Sequence, residues 1–215
     1  MPILHGVNAS PFVRKVRVAL ATKGIEYELN PIMPMGVSDE YKQKSPLGKI
    51  PCWEDGDFTL PDSSCIIAYL EKRQPDPALY PSDPQQLGRA LFLEEYGDSK
   101  LAETVGPFFF ERIVKGKIMK AEPDEARLAK ILAEDLPPVF DWLESQAPES
   151  GDAIVGGHFS VADIGIASQL VNARHAGLDV DAARWPRLAA YRDAVHGNPY
   201  FKPIVEEETA ELGAM

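Results

Sequence analysis

The sequence predicts a small α/β domain followed by an all-helical domain. In the first third of the chain, short runs typical of strands alternate with helical runs, and no strand pattern occurs after them. Four prolines fall between residues 74 and 84, as expected of a linker. A chain of 215 residues is long enough for two such domains. We expect the first domain at 1–76, the linker at 77–86 and the second domain at 87–215.

The first domain has the predicted order β-α-β-α-β-β-α with a mixed sheet. Gly24 is a predicted helix C-cap, and Asp55-Gly56 is the predicted turn of a hairpin. The fourth segment is irregular or weakly helical. The segments are, in chain order, ILHGV, FVRKVRVALATKG, IEYELNPI, VSDEYKQKSPLG, the two strands of IPCWEDGDFTL, and DSSCIIAYLEKR.

The second domain contains only helical patterns. Pro137 and Pro138 should kink or split the second of its helices. Ser160 and Asp163 have capping-box spacing, so a structural role for Asp163 is favoured over a catalytic one. The helical segments are QLGRALFLEEYGDSKLAETV, DEARLAKILAEDLPPVFDWLESQ, SVADIGIASQLVNARHAG, PRLAAYRDAVHG and PYFKPIVEEETAE.

Composition excludes several classes of function. A chain that is 45% hydrophobic and 26% charged can form a packed core. Its net charge of -11 argues against a nucleic-acid surface. No apolar run approaches the length of a membrane span, and the N-terminus lacks a signal pattern, so we expect a cytoplasmic protein that binds neither nucleic acid nor membrane.

The two cysteines and four histidines indicate no redox or metal chemistry. Cys52 and Cys65 are too few for a disulfide framework and too far apart for a CxxC motif. Each lies in an apolar stretch, where we expect a buried thiol that acts as a small hydrophobe. The histidines lack ligand spacing, so no metal is expected.

Ser10 stands directly before Pro11 at the start of the first predicted helix. Serine is a preferred N-cap and proline is favoured at the first helical position, so local rules predict a capping role. A role for the hydroxyl in chemistry is the alternative. Arg14, Lys15 and Arg17 follow, and such a run of charges is usually a solvated helix face.

Three motifs together resemble the glutathione transferase superfamily. They are SPFVRKVRVAL, SPLGKIPCWEDGDFTLPDSSCIIAYLEK and FSVADI, and the resemblance in order and spacing extends over essentially the whole chain. The SPF start is similar to that of serine-type classes such as the plant tau class. The resemblance implies a thioredoxin-like first domain, glutathione as cosubstrate, a small hydrophobic electrophile as second substrate, a homodimer and a role in detoxification.

The resemblance also assigns glutathione-binding residues. It implies a cis-proline at Pro51, with the backbone of Ile50 pairing with the cysteinyl part of glutathione and Lys49 facing the glycine carboxylate. Ser63 would hold the γ-glutamyl carboxylate at a helix N-terminus, where backbone N–H groups favour anions. Asp62 corresponds to the residue that contacts the amino group. The alternative for this step is an ordinary N-cap.

By the same resemblance, Ser10 donates a hydrogen bond to the glutathione thiolate, and Arg17 is a supporting residue. The free thiol has a pKa near 8.5, and lowering it by about two units requires roughly 2.7 kcal/mol. A hydrogen bond to an ionised group contributes roughly 1.5–3 kcal/mol and a helix N-terminus about 0.3–1 kcal/mol. These two contributions are together about the required size.

Four apolar residues are candidates for lining an electrophile pocket between the domains, although a run of phenylalanines on a helix also fits a core. They are Phe12, Val37, Phe108 and Phe109. Conjugation, isomerisation, reductive dehalogenation and peroxide reduction stay open. The isomerase alternative is weakened because the serine-serine-cysteine start of that class is absent. A non-catalytic binding or regulatory protein of the same fold is a further alternative.

Overall fold

The computed structural model describes residues 1–214 and divides into two compact units, Met1–Tyr80 and a second unit that begins at Pro81. The first unit has the predicted order β-α-β-α-β-β-α. Its fourth segment, which was predicted to be irregular or weakly helical, contains a helix. Its elements are β1 Ile3–His5, α1 Pro11–Lys23, β2 Glu28–Asn30, α2 Asp39–Lys44, β3 Cys52–Asp55, β4 Phe58–Pro61 and α3 Ser63–Arg73.

The four strands form one mixed sheet in the order β2-β1-β3-β4. β1 runs parallel to β2 and antiparallel to β3, and β3 and β4 form a hairpin. Because Asp55 pairs with Phe58, the two-residue loop is Gly56-Asp57, one residue later than the predicted turn. Gly56 has a φ of 62°, a left-handed conformation that glycine adopts without steric cost.

The core of the first unit lies between the sheet and helices α1 and α3. Leu4 of β1 and Trp53 of β3 are opposite each other and fully buried. Helix α1 buries Val16 and Leu20, while α3 buries Ile66 and other apolar residues of the same face. Gly24 ends α1 in a left-handed conformation with a φ of 64°, as predicted.

The basic residues of α1 are buried, so the prediction of a solvated face is wrong. Arg14 and Lys15 have no exposed surface. Lys15 Nζ donates to Ser64 Oγ at 3.2 Å, and Arg17 Nε donates to Tyr27 Oη at 2.9 Å. A run of charges in a sequence does not show which neighbours cover it, and buried cations such as these are stable only when polar partners surround them.

The second unit is all-helical within the described residues, as predicted. Three π-helical segments, Gly97–Leu101, Phe110–Ile118 and Ile131–Asp135, continue the helices that precede them. Helix α8 is the central helix, since it is buried over most of its length. The helices are α4 Pro84–Tyr96, α5 Ala102–Phe109, α6 Glu125–Lys130, α7 Leu136–Gln146, α8 Val161–His175, α9 Pro186–His196 and α10 Lys202–Gly213.

Pro137 and Pro138 lie in the first turn of α7, where a missing N–H is tolerated. The predicted interruption takes the form of the π-helical segment Ile131–Asp135 directly before them. Across residues 1–214, no helix combines the length and apolar character that are needed to cross a membrane.

Asp163 has the capping role that its spacing predicts. Asp163 Oδ2 accepts from the backbone N–H of Ser160 at 2.8 Å and from the Ser160 hydroxyl at 3.1 Å. Asp163 Oδ1 accepts from Ile154 N and from the Tyr191 hydroxyl, both at 2.8 Å. The carboxylate therefore joins the start of α8 to the preceding loop and to α9.

Candidate functional site

Ser10 caps helix α1, as local rules predict. Its backbone is extended, with φ −74° and ψ 125°, and its Oγ accepts from Val13 N at 3.4 Å. This bond uses a lone pair of the oxygen and leaves the hydroxyl proton unused. Within residues 1–214 the hydroxyl donates to no acceptor. The half-buried Ser10 is therefore able to cap the helix and to donate a hydrogen bond at the same time.

Gly6 brings the start of α1 close to Ile50. A Cβ atom on Gly6 would lie 2.4 Å from Val13 Cγ2 and 3.5 Å from Ile50 Cβ, and its φ is 152°. Only glycine permits so close an approach. Gly6 directly follows His5, the last residue of β1, which pairs with the first residue of β3. The helix start that carries Ser10 and the segment that precedes β3 thus lie at the same end of the sheet.

The Lys49–Pro51 segment is fixed through its backbone. The Ile50–Pro51 peptide bond is cis, as the resemblance implies. The carbonyl of Lys49 accepts hydrogen bonds from the Tyr41 hydroxyl at 3.0 Å and from Ser45 Oγ at 2.7 Å. Ile50 is buried, whereas the Lys49 side chain is exposed. The backbone is therefore held from the side of α2, and the lysine side chain reaches solvent.

Tyr41 and Ser45 are residues that sequence reasoning missed. Tyr41 is buried, and burial raises the pKa of its hydroxyl to about 12, so it stays a hydrogen-bond donor at neutral pH. The available signal was the hydroxyl of Ser45, the first residue of the SPLGKIP motif, together with that of Tyr41 shortly before it. The sequence alone does not show that both hydroxyls point to the same carbonyl.

The Asp62–Ser63 step is hydrogen-bonded to the Lys49–Pro51 segment. Asp62 N donates to Pro51 O at 3.3 Å. Asp62 Oδ1 accepts from Ser64 N at 3.0 Å and from Cys65 N at 3.1 Å, so the N-cap alternative holds for Asp62. Ser63 is the first residue of α3 and is 3% exposed. Pro51, the neighbour of Ile50, is thus hydrogen-bonded to the N-cap residue of α3.

The two cysteines differ in exposure. Cys52 is buried at the start of β3, and burial raises the pKa of its thiol to about 11, so the thiol is protonated and unreactive at neutral pH. Cys65 is exposed, which corrects the prediction that both are buried. Its apolar neighbours Ile66 and Ile67 occupy the buried face of α3, and Cys65 occupies the opposite face.

The residues proposed for an electrophile pocket fall in both units. Phe12 and Val37 are half-buried in the first unit. Val37 Cγ2 lies 3.1 Å from the position of a Cβ on Gly48, so Val37 is close to the Lys49 segment. In the second unit Phe108 is buried and Phe109 is half-buried, and the burial of Phe108 agrees with the core interpretation.

No group of three His, Cys, Asp or Glu side chains within residues 1–214 is arranged to hold a metal ion. The polar groups that come together are instead hydroxyls, backbone groups and the N-termini of α1 and α3. Such groups favour an anionic or peptide-like ligand.

Comparison with known proteins identifies the family. Residues 4–78 match the model of the glutathione S-transferase N-terminal domain, and residues 122–194 match that of the C-terminal domain. A glutathione S-transferase of Triticum aestivum is 28% identical over 210 residues, which cover 96% of this chain and 93% of the relative. A Drosophila melanogaster protein named probable maleylacetoacetate isomerase 1 is 31% identical over 186 residues, which cover 83% of this chain and 72% of the relative.

Solved structures agree with this result. The apo form of human glutathione S-transferase T1-1 has a TM-score of 0.86 and 25% sequence identity, and the match covers 100% of this chain and 92% of the human one. The thioredoxin-like first unit and the helical second unit are those of the same fold. The chain belongs to the glutathione S-transferase family, a family of transferases.

Proposed function

We propose that this protein binds glutathione in its first unit and uses the glutathione thiolate to attack a small apolar electrophile. The observation that carries the proposal is the convergence of three segments at one end of the sheet. Gly6 brings the helix start of Ser10 close to Ile50, and the hydrogen bond from Asp62 N to Pro51 O joins the residue after Ile50 to the start of α3. An extended tripeptide binds through several separate contacts, and these three segments form a row that offers them.

Each part of glutathione has a candidate partner in this row. The cysteinyl backbone would pair with Ile50, whose segment is fixed through the Lys49 carbonyl. The exposed Lys49 side chain would face the glycine carboxylate. The γ-glutamyl carboxylate would bind Ser63 and its N–H at the start of α3. The exposed Asp62 carboxylate, next to Ser63, would attract the γ-glutamyl amino group.

The charge of Asp62 opposes a carboxylate at the same helix N-terminus. Asp62 already accepts from two N–H groups there, which leaves fewer donors for a ligand. Lys15 offsets this, because its Nζ lies 3.2 Å from Ser64 Oγ in the first turn of α3. We therefore include Lys15 among the groups that favour an anion at this site.

Ser10 acts in the proposed mechanism as a hydrogen-bond donor and not as a base. The thiol loses its proton to water, and the Ser10 hydroxyl and the positive end of α1 stabilise the thiolate. A roughly two-unit fall in the pKa of the thiol requires about 2.7 kcal/mol, which these two interactions together supply. The sulfur lone pair then forms a bond to the electrophilic carbon, and the displaced electron pair leaves with the leaving group or moves into the acceptor.

Other parts of the proposal rest on family membership. We place the protein in the cytoplasm as a homodimer with a role in detoxification. Phe12, Val37, Phe108 and Phe109 remain the proposed contacts of the electrophile. Arg17 remains a proposed supporting residue, since its hydrogen bond to Tyr27 holds α1 against the chain that follows it.

Glutathione-dependent isomerisation is the second candidate. It is favoured by the relative named probable maleylacetoacetate isomerase 1, which is 31% identical to this chain. In such a reaction the thiolate adds to a double bond and leaves again after rotation, so the same thiolate site serves. The sequence Asn-Ala-Ser-Pro-Phe at residues 8–12 differs from the serine-serine-cysteine start of that class, which places isomerisation second.

The test measures glutathione binding by calorimetry and the pKa of the bound thiol by its ultraviolet thiolate absorbance. In Ser10→Ala we expect the pKa of the bound thiol to rise by about one to two units, since roughly 1.5–3 kcal/mol of stabilisation is lost. Ser10→Thr keeps the hydroxyl and should retain the pKa of the parent. An unchanged thiol pKa in Ser10→Ala would show that Ser10 is only a cap.

A parent protein that fails to bind glutathione would contradict the transferase proposal and favour the non-catalytic alternative. Two activities measured on the same preparation would separate the enzymatic candidates. Turnover of an aryl halide would favour conjugation, and isomerisation of a cis-configured diacid would favour the isomerase.

A further inference from the structure

A continuous set of polar contacts crosses the sheet of the first unit and ends on helix α2. Asn30 of β2 donates its Nδ2 to Nδ1 of His5 on β1 at 2.9 Å. His5 Nε2 lies 2.7 Å from Glu54 Oε2 on β3, and Lys44 Nζ of α2 donates to the same oxygen at 2.5 Å. Because Asn30 Nδ2 donates to Nδ1, the hydrogen bond between Nε2 and Glu54 is donated by His5. Glu54 therefore connects the sheet to α2.

Helix α2 depends on few contacts for its position. It spans only Asp39–Lys44, and Tyr41 is its one buried residue. A helix of this length is not stable by itself in water, so its tertiary contacts determine where it lies. Those contacts include the edge-to-face packing of Tyr41 on His5, with ring centroids 6.0 Å apart, and the ion pair of Lys44 with Glu54.

The C-terminal end of α2 in turn positions the Lys49–Ile50 segment. The Tyr41 hydroxyl and Ser45 Oγ both donate to the Lys49 carbonyl. Gly48 N donates to Ser45 O at 2.8 Å, which closes the turn between them. A displacement of α2 would therefore carry the Lys49 carbonyl with it.

We propose that Glu54 is a positioning residue for glutathione binding. It holds α2 against the sheet through Lys44 and His5, and α2 holds the Lys49–Ile50 segment through Tyr41 and Ser45. Glu54 touches no reacting atom and acts only through these neighbours. The inference rests on the proposed function, because it assigns Glu54 to the same glutathione site.

The favourable environment of the Glu54 carboxylate agrees with this role. The hydrogen bonds from Lys44 and then from His5 lower its pKa, so the carboxylate is charged at neutral pH and accepts from both partners. Without that charge, α2 would occupy its binding-competent position for a smaller fraction of the time. If that fraction falls to about one-tenth, the apparent dissociation constant of glutathione rises about tenfold.

The experiment compares Glu54→Gln with the matched control Asp55→Asn. Asp55 is the next residue of β3, and it pairs with Arg73 instead of α2. For Glu54→Gln we expect the Kd and KM for glutathione to rise about tenfold, with kcat and the pKa of the bound thiol unchanged. Amide hydrogen exchange of residues 45–51 in the unliganded protein should also be faster. Asp55→Asn should alter none of these quantities.

Lys44→Met is a second variant that removes the same contact from the other side. Its effect on Kd should be no larger than that of Glu54→Gln, because the contact of His5 with Glu54 remains. The double variant should show no further loss beyond Glu54→Gln, because that change already removes the charge that Lys44 binds. If Glu54→Gln fails to fold, Lys44→Met alone decides the outcome.

Three results would overturn the inference. The first is parent-like exchange of residues 45–51 in both variants, the second is an equal loss of glutathione affinity in Asp55→Asn, and the third is a changed thiol pKa in Glu54→Gln. A parent that does not bind glutathione would instead contradict the proposed function, and the exchange measurement would still show whether Glu54 positions the segment.

Discussion

Lys23, at the end of α1, has a fully buried side chain whose ammonium group holds three acceptors. Lys23 Nζ donates to Glu71 Oε2 at 2.7 Å, to Gln74 O at 2.7 Å and to Pro77 O at 3.0 Å. Glu71 lies in α3, and the two carbonyls lie in the segment that follows α3. One cation thus joins α1, α3 and the chain that leaves the first unit.

We predict that Lys23→Met destabilises the protein by about 3 kcal/mol. Removing one partner of a buried ion pair costs roughly 3–5 kcal/mol, because the remaining charge loses its compensation. The lower end applies here, since the Glu71 side chain is 15% exposed and still accepts from Leu79 N at 3.1 Å. Methionine preserves the apolar stem, so packing contributes little to the loss.

The assay is urea unfolding followed by circular dichroism, together with thermal unfolding. A loss of about 3 kcal/mol corresponds to a fall in Tm of roughly 6–12 °C for a chain of this size. Lys72→Met is the matched control, because Lys72 is an exposed lysine of α3 next to Glu71, and it should change stability by less than about 0.5 kcal/mol. A loss below about 1 kcal/mol for Lys23→Met, or an equal loss for the control, would refute the reasoning.

Two further predictions concern titrating groups. Burial raises the pKa of Asp163 to about 6, above its unfolded value near 3.9, so the folded protein binds more protons between these values. The free energy of unfolding should therefore fall as pH rises from about 4 to 6. Asp163→Asn should remove this pH dependence, as measured by urea unfolding at several pH values. If the variant keeps the same pH dependence, other groups cause it. In the native protein a thiol reagent should modify the exposed Cys65 quickly and the buried Cys52 only on unfolding; two fast thiols would contradict the burial of Cys52.

The order of elements follows from signals that are local in the sequence. Gly24 ends α1 because the left-handed conformation there suits glycine, and Ser10 begins it because a hydroxyl accepts the free Val13 N–H. The hairpin turn differs by one residue from the prediction, since strand register is set by pairing partners and not by the turn alone. Local chemistry thus predicts the order of the elements and the capped ends of α1, whereas other boundaries differ by several residues, as for β2, which spans Glu28–Asn30 within the predicted IEYELNPI.

Burial could not be predicted in the same way. Arg14 and Lys15 are covered on all sides although they belong to a charged run, and Cys65 is exposed although its neighbours are apolar. In both cases the outcome depends on which face of a helix meets another element. Which face is buried is decided by tertiary contacts. The sequence shows the buried face only when apolar residues recur regularly along it.

In the candidate site, too, the sequence predicts local features but not the tertiary contacts around them. The sequence motifs predicted roles for Ser10, Ile50 and Ser63, because their spacing resembles that of the glutathione transferase superfamily. The contacts that support this segment involve Gly6, Tyr41, Ser45 and Glu54, which lie on other elements. Glu54 lies within the central motif, but its proposed role depends on contacts with α2, so the motif alone does not identify that role.

Ser10 illustrates why a structural explanation of a residue does not exclude a chemical one. The cap consumes one lone pair of Oγ in a hydrogen bond of 3.4 Å, and the hydroxyl proton remains for another acceptor. The cap also fixes the hydroxyl at the positive end of α1, where a thiolate is favoured by about 0.3–1 kcal/mol before any hydrogen bond forms. Capping therefore places the donor where an anion is already stabilised. Alanine removes both roles and threonine retains both, and each role has its own readout. Loss of the cap lowers the free energy of unfolding by about 1 kcal/mol, whereas loss of the donor raises the pKa of the bound thiol.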